Sequence, residues 1–238
     1  MGIAAAAGTP IVETLAVALR ALSIDKLSLA TFPATTGLDD RLRQRVEGVG
    51  NTGLLETSQR LGVPLWQLVA ASALHDASVG LNPFDLFMSH GVQPNSRTYT
   101  LGVHDLISER FKAICEGLQP NEALGISSRV VTGNGVRHLA MMDFCSPKSE
   151  KNEEILVSSL RRIGAKAGVI VDSGRSYHYY GWELMTVEQW MSFMGLSLLL
   201  APLTDSRYIG HRLADGESRL RIFSPTRPQP VVRREFAP

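Results

Sequence analysis

The chain is short of several things, and each shortage closes a class of explanation. Only two of its 238 residues are cysteine, Cys115 and Cys145. They stand far apart without metal-ligand spacing, so they read as reduced thiols of a cytoplasmic protein rather than a disulfide or zinc framework. Charge of one sign is lacking too: 24 Lys and Arg face 23 Asp and Glu, a net +1. That balance gives no global footprint for nucleic acid, so any such contact must come from a local patch. No apolar run reaches the roughly 20 residues of a membrane span. The longest, around 191–203, is interrupted by Ser192, Gly195 and Ser197. The apolar start, Met1 to Gly8, has no Lys or Arg ahead of it and makes a poor signal peptide. Ala6 stands where a myristoylation signal has Ser or Thr, so no membrane partner is expected. No repeat at a solenoid period is present. What remains, 44% hydrophobic and 20% charged residues, suits a folded core rather than disorder.

Residues 1–125 read as a mostly helical region. Pro10–Leu22 carries Ile11, Leu15, Val17, Ala18 and Leu22 as a helical stripe. Asp39–Val46 reads as a short charged helix and Asp105–Leu118 as another. Thr57–Leu74 contains Arg60-Leu-Gly-Val63 before an apolar helix, the outline of a helix-turn-helix. Base-edge recognition needs polar side chains. The second helix offers chiefly Gln67, so an ordinary helical hairpin is the better reading. Two roles stay open for these helices: packing against the sheet as the second lobe of one domain, or docking a protein partner. Asn82-Pro83, Pro94-Asn95 and Gln119-Pro120 mark loops.

Residues 126–238 have another texture. Arg129–Thr132 and Val136–Phe144 flank Gly133-Asn-Gly135 as a hairpin. Lys151–Ala165 follows as a helix with Ile155, Leu156, Leu160 and Ile163 on one face. Gly168–Asp172 and Ser176–Glu183 are strands, and Thr186 caps a helix over Val187–Leu200. Ser218–Ser224 alternates as a last strand, and the segment beyond Pro225 reads as an extended surface tail. The fold class is therefore α+β: a helical N-terminal region plus a ferredoxin-like or RRM-like βαββαβ unit. Two helices on one face of such a sheet would leave the other face for a ligand.

The residues with most chemistry lie along this unit. Val169-Ile-Val-Asp-Ser-Gly-Arg-Ser-Tyr-His-Tyr-Tyr-Gly181 is a strand, a tight turn and a second strand bearing His178. Alternation puts Ser176, His178, Tyr180 and Trp182 on one face, and Arg175, Tyr177, Tyr179 and Glu183 on the other. The aromatics suit base stacking, although on a sheet they are more often core. Asp143 ends the first strand, and Asp205 follows the second helix in Asp205-Ser-Arg-Tyr-Ile-Gly-His-Arg-Leu213. Two carboxylates on one sheet face can hold a divalent cation through hard oxygens. Ser173, Arg175, Ser176 and His178 can hold phosphate oxygens, as can Arg207, His211, Arg212 and Arg221 in the densest local run of basic residues. His75, His90, His104 and His138 are scattered and read as structural.

Met-Met-Asp143-Phe, Ser173-Gly-Arg-Ser-Tyr-His178 and Leu-Thr-Asp205 resemble the three motifs of the archaeo-eukaryotic primase superfamily, the primase-polymerases. The Ser-Gly-Arg-Ser-Tyr-His-Tyr-Tyr-Gly and Asp-Ser-Arg-Tyr-Ile-Gly-His-Arg-Leu segments look most like the bacterial group called primase 1D-like. The resemblance covers roughly residues 127–225. It implies Asp143, His178 and Asp205 as catalytic residues, with Asp143 and Asp205 holding Mg²⁺ or Mn²⁺. It also implies a nucleoside triphosphate as ligand, DNA or RNA as further partner, and nucleotidyl transfer in replication or repair as the activity. There is a departure. Active members usually carry a second acid two residues after the first, where this chain has Cys145. The site is one carboxylate short unless Asp172, Glu183 or Asp215 substitutes. A catalytically degenerate module that binds nucleotide, nucleic acid or a protein partner therefore stays open as the alternative.

Overall fold

A computed structural model describes residues 5–34, 37–48, 50–61, 63–75 and 96–238. Gly2, Gly62, His90 and the loop signals at Asn82-Pro83 and Pro94-Asn95 lie outside the described residues. Helix α1 (Ile11–Ala21) opens the chain, followed by β1 (Ile24–Pro33), then α2 (Gly37–Gly48), α3 (Thr52–Leu61) and α4 (Leu65–His75). Next come β2 (Thr98–Gly102), a 3₁₀ turn (Val103–Ile107), α5 (Glu109–Glu116), and the long pair β3 (Glu122–Thr132) and β4 (Gly135–Asp143). The remainder runs α6 (Glu150–Arg162), β5 (Gly168–Asp172), β6 (Tyr177–Met185), α7 (Val187–Leu198), α8 (Ser206–Asp215), β7 (Arg219–Phe223) and β8 (Val231–Phe236).

Among the described residues the strands form one antiparallel sheet in the order β2-β1-β3-β4-β6-β5-β8, with β7 pairing onto β3 off that path. By contacts the chain divides into one unit of residues 1–34 with 94–238 and another of 35–93. That division falls at other places than a break near residue 125. In the smaller unit Leu42 and Val46 of α2 pack with Leu65, Trp66, Val69 and Ala70 of α4.

Residues 1–125 hold α1 to α5, as their helical reading expects, but also β1 and β2, which that reading did not foresee and which are strands of the same sheet as β3. The signal was present: Leu27 and Leu29 are buried while Lys26 is exposed, a half-buried strand's alternation. The tail is also no surface segment. Val231–Phe236 pairs with β5, burying Val232 and Phe236 between exposed Arg233, Arg234 and Glu235. In α6 the buried stripe is Leu156, Val157 and Leu160, whereas Ile155 is exposed.

Alternation along β4 to β6 feeds two cores. Leu139, Met141, Val169, Val171 and Tyr180 point to one face, against Leu15 and Leu19 of α1 and Leu106 of the 3₁₀ turn. Ala140, Met142, Ile170, Tyr177 and Tyr179 point to the other, against Leu160 of α6, Trp190 and Phe193 of α7, and Ile209 of α8. Both faces are therefore covered, and the expectation of an open face for a ligand is overturned. Tyr177, Tyr179 and Tyr180 are each at most 2% exposed, so they are core and not a stacking platform. Gly168 and Gly181 sit opposite each other in the β5–β6 pair. A Cβ at Gly168 would run into the Tyr180 carbonyl oxygen, and one at Gly181 into the Tyr179 ring. The Tyr179 ring, its hydroxyl donating to Lys166 O at 2.6 Å, lies across both.

Candidate functional site

The chemistry gathers where β4 ends and β6 begins. In the β4–β6 register Asp143 stands opposite His178. On the other side of β4, Phe144 and Thr204 form an antiparallel bridge, with Cys145 N donating to Leu203 O at 2.9 Å. In an antiparallel pair that register sets Asp143 opposite Asp205 and Cys145 opposite Leu203. His178, Asp143 and Asp205 thus form a row across three neighbouring backbone segments.

Local bonds explain why the row forms. The Thr204 hydroxyl donates to Ser197 O at 2.8 Å, pinning the loop onto the end of α7. Asp205 is the N-cap of α8, its carboxylate accepting from Arg207 N at 2.8 Å and Tyr208 N at 3.4 Å. Such a cap satisfies orphan donors of the first turn. Ser176 Oγ donates to Ser146 O at 2.7 Å, fixing the start of β6 to the segment after β4. The β5–β6 turn is tight, with Ser173 N donating to Ser176 O at 3.0 Å and Gly174 N to Asp172 Oδ1 at 2.8 Å. Gly174 there has φ +102°, a conformation that suits glycine.

Electrostatically the row is uncomfortable. Burial raises the Asp205 carboxyl above the ordinary aspartate range, Arg207 and the two backbone donors pull it back, and the Asp143 charge raises it again. Like charges directly opposite on paired strands oppose folding. His178 Nε2 lies 3.4 Å from Asp143 Oδ1, with the histidine side chain 7% and the aspartate 43% exposed. Buried His178 Nδ1 has no hydrogen-bond partner among the described residues. Burial, then the charges of Asp205 and Asp143, push the Cys145 thiol up to about 12. It is a neutral donor whose Sγ lies 3.1 Å from Pro202 O and 3.4 Å from Leu203 O.

The remaining expected residues divide. Arg175 is exposed and its charge is felt at Cys145. Arg207 acts on Asp205, and Arg221 is within electrostatic reach of Asp143. Arg221 is nearly buried, and its guanidinium donates to the carbonyls of Ser173 and Pro228, bracing the β5–β6 turn against the β7–β8 connection. Arg212 pairs with Asp215 at 2.9 Å and lies over the Tyr208 ring, and His211 is half-buried on the same helix. None of the three proposed substitutes joins the row. Asp172 pairs with Lys148 and caps its own turn. Asp215 ends α8, and Glu183 projects from the face of β6 opposite to His178. Among the described residues, no group of three or more His, Cys, Asp and Glu could hold a metal ion. Sequence reasoning missed Tyr208, half-buried beside the row with its hydroxyl 3.3 Å from Arg219 O and its ionisation opposed first by burial and then by the Asp143 charge. Its place three residues after a capping Asp is the signal that could have found it.

A family model described as AEP-like, archaeo-eukaryotic primase 1D-like, matches residues 102–232, more than half of the chain. The match begins at the end of β2 and reaches into β8, wider than the three motifs. No curated protein and no solved structure matches the chain. No described helix is long and apolar enough to cross a membrane.

Proposed function

The chain belongs to the archaeo-eukaryotic primase 1D-like family, and on that premise we propose that it binds a nucleoside triphosphate together with a divalent cation at the His178–Asp143–Asp205 row. The observation that carries this reading is the placing of two carboxylates opposite each other across the Phe144–Thr204 bridge. The α8 cap accounts for the place of Asp205 but does not require its charge, since asparagine caps as well; a cation would use both charges. Asp143 and Asp205 offer the hard oxygens that Mg²⁺ or Mn²⁺ prefers, and either ion commonly completes its shell with substrate phosphates and water. Bound there, it would supply charge neutralisation for the phosphates. Arg175 and Arg207, whose charges reach Cys145 and Asp205, would add charge-assisted bonds to phosphate oxygens. His178, held against Asp143, orients the carboxylate and offers a donor at the edge of the row. The ferredoxin-like reading of β4 to β7 belongs to the same proposal, supported by the β4–β6–β5 pairing.

Nucleotidyl transfer to DNA or RNA is the activity the family suggests. The thiol at Cys145 favours the second reading, a module that holds nucleotide without joining it. The test is binding of labelled ATP and dNTPs with and without Mn²⁺ to wild type, His178→Ala and Asp205→Asn. Cation-dependent binding weakened in both variants supports the site, and equal binding in all three sinks it. A primer-extension assay on the same preparations then separates the two readings.

A further inference from the structure

The number of cations follows from Cys145. We infer that the Asp143–Asp205 pair takes a single divalent cation, and that a second position beside it is closed. The inference rests on the nucleotide-binding reading above. Asp143 and Cys145 are two residues apart in extended chain, so they share one side of the backbone. A second cation, about 3.5–4 Å from the first in two-metal sites, would need a further hard oxygen on that side. The structure has a sulfur there instead, within hydrogen-bonding distance of the carbonyl oxygens of Pro202 and Leu203. Sulfur is a poor ligand for Mg²⁺ or Mn²⁺.

The position is adapted to a donor and is more than an acid lost. An ionised carboxylate only accepts hydrogen bonds. An aspartate at 145 would face two carbonyl oxygens, and could satisfy them only by keeping its proton, which makes it a poor cation ligand. Those carbonyls belong to the loop that delivers Asp205, so they cannot turn away without moving the pair itself. The nearby acids do not make up the loss, since Asp172 is engaged by Lys148 and Asp215 by Arg212. With two protein carboxylates only, the cation takes its other ligands from triphosphate and water. Cation and nucleotide therefore bind together. A single ion clamps the phosphates but leaves an attacking hydroxyl without a metal of its own, which is the arrangement of a holder rather than a fast polymerase.

The experiment is a Mn²⁺ titration of the full chain followed by electron paramagnetic resonance, with and without an α,β-methylene triphosphate analogue. Nucleotide binding is followed separately by calorimetry. Expected is one Mn²⁺ per chain with the analogue and at least tenfold weaker Mn²⁺ binding without it. Two Mn²⁺ per chain, or nucleotide bound with none, overturns the inference and leaves nucleotide binding standing. Absence of both nucleotide and Mn²⁺ overturns the reading beneath it as well. Cys145→Asp is expected to stay at one cation with a lower urea midpoint; a second cation gained in that variant alone would show that the missing oxygen is what closes the position in the wild type, and so supports the inference. Cys145→Ser keeps a donor for the same carbonyls and is expected to fold and to bind one cation.

Discussion

His138 and His178 are both buried, one on β4 and one on β6 at opposite ends of the β4–β6 pair, and their surroundings have little in common. His138 stacks on Trp190 with ring centroids 4.9 Å apart and has Ser128 Oγ 3.4 Å from its Nδ1. Burial first, and then the Arg129 charge, hold it below the ordinary histidine range, while Glu217 pulls the other way. It is a neutral core residue. His178 instead faces a carboxylate that faces another carboxylate, and one of its nitrogens is buried without a partner among the described residues. One end of the strand is arranged for packing and the other tolerates repulsion. The proposed cation and triphosphate would account for that repulsion.

The largest effect tests the packed end. Trp190 is fully buried beneath His138, and Trp190→Ala should remove about 3–5 kcal/mol of stability, read from urea unfolding. Triphosphate affinity per folded molecule should hold. A drop in affinity larger than the loss of folded protein would show that the two ends are not independent. Next in size is the charged end. His178→Ala should weaken cation-dependent triphosphate binding at least tenfold, about 1.4 kcal/mol, and shift the urea midpoint little. His138→Ala should show the reverse pattern. Equal loss of affinity in both variants would erase the contrast.

The sequence made some of this legible and hid the rest for definable reasons. Asp143, His178 and Asp205, which the structure brings into one row, stood out because their motifs are local, and α7 because Thr186 and Gln189 form a capping box. β1 was lost because Leu27 and Leu29 alternate over a short stretch inside a region read at helical period. β8 was lost because prolines before it suggested a tail, although Val232 and Phe236 sit at strand spacing. The covered second face was out of reach, since the residues covering it, in α1 and the 3₁₀ turn, precede β4 by long stretches of chain. The Asp143–Asp205 opposition was equally invisible: a single bridge, Phe144 to Thr204, creates it. Once seen, that bridge also explains why Cys145 points into the Pro202–Leu203 loop.

A smaller effect separates the two roles of Asp205. As N-cap it stabilises α8, and as a half-buried charge opposite Asp143 it opposes folding. Asparagine caps as well as aspartate, so Asp205→Asn should leave stability unchanged or raise it slightly. Asp205→Ala should lose about 1 kcal/mol with the cap. Both should lose cation-dependent binding. If Asn destabilises as much as Ala, the repulsion across the bridge is not felt, and the charged end is as relaxed as the packed one.

The smallest effect is the pH response of the packed end. The folded-state value of His138 is depressed below its unfolded value of about 6.5. The unfolded chain therefore binds more protons in the window between the two, and stability rises with pH there. The contribution is fully present above about pH 6.5 and is lost as pH falls toward the folded value, with no further change below it. The groups that set it are Arg129, which disfavours the proton, and Glu217, which favours it. Urea unfolding from pH 7.5 to 5.5 should show wild type losing stability faster than His138→Gln, which has no such proton to take up. Parallel curves would mean that His138 takes its proton in the folded state as readily as in the unfolded one. Burial against Trp190 would then not be what distinguishes this histidine from His178, and the contrast would rest on Asp143 alone.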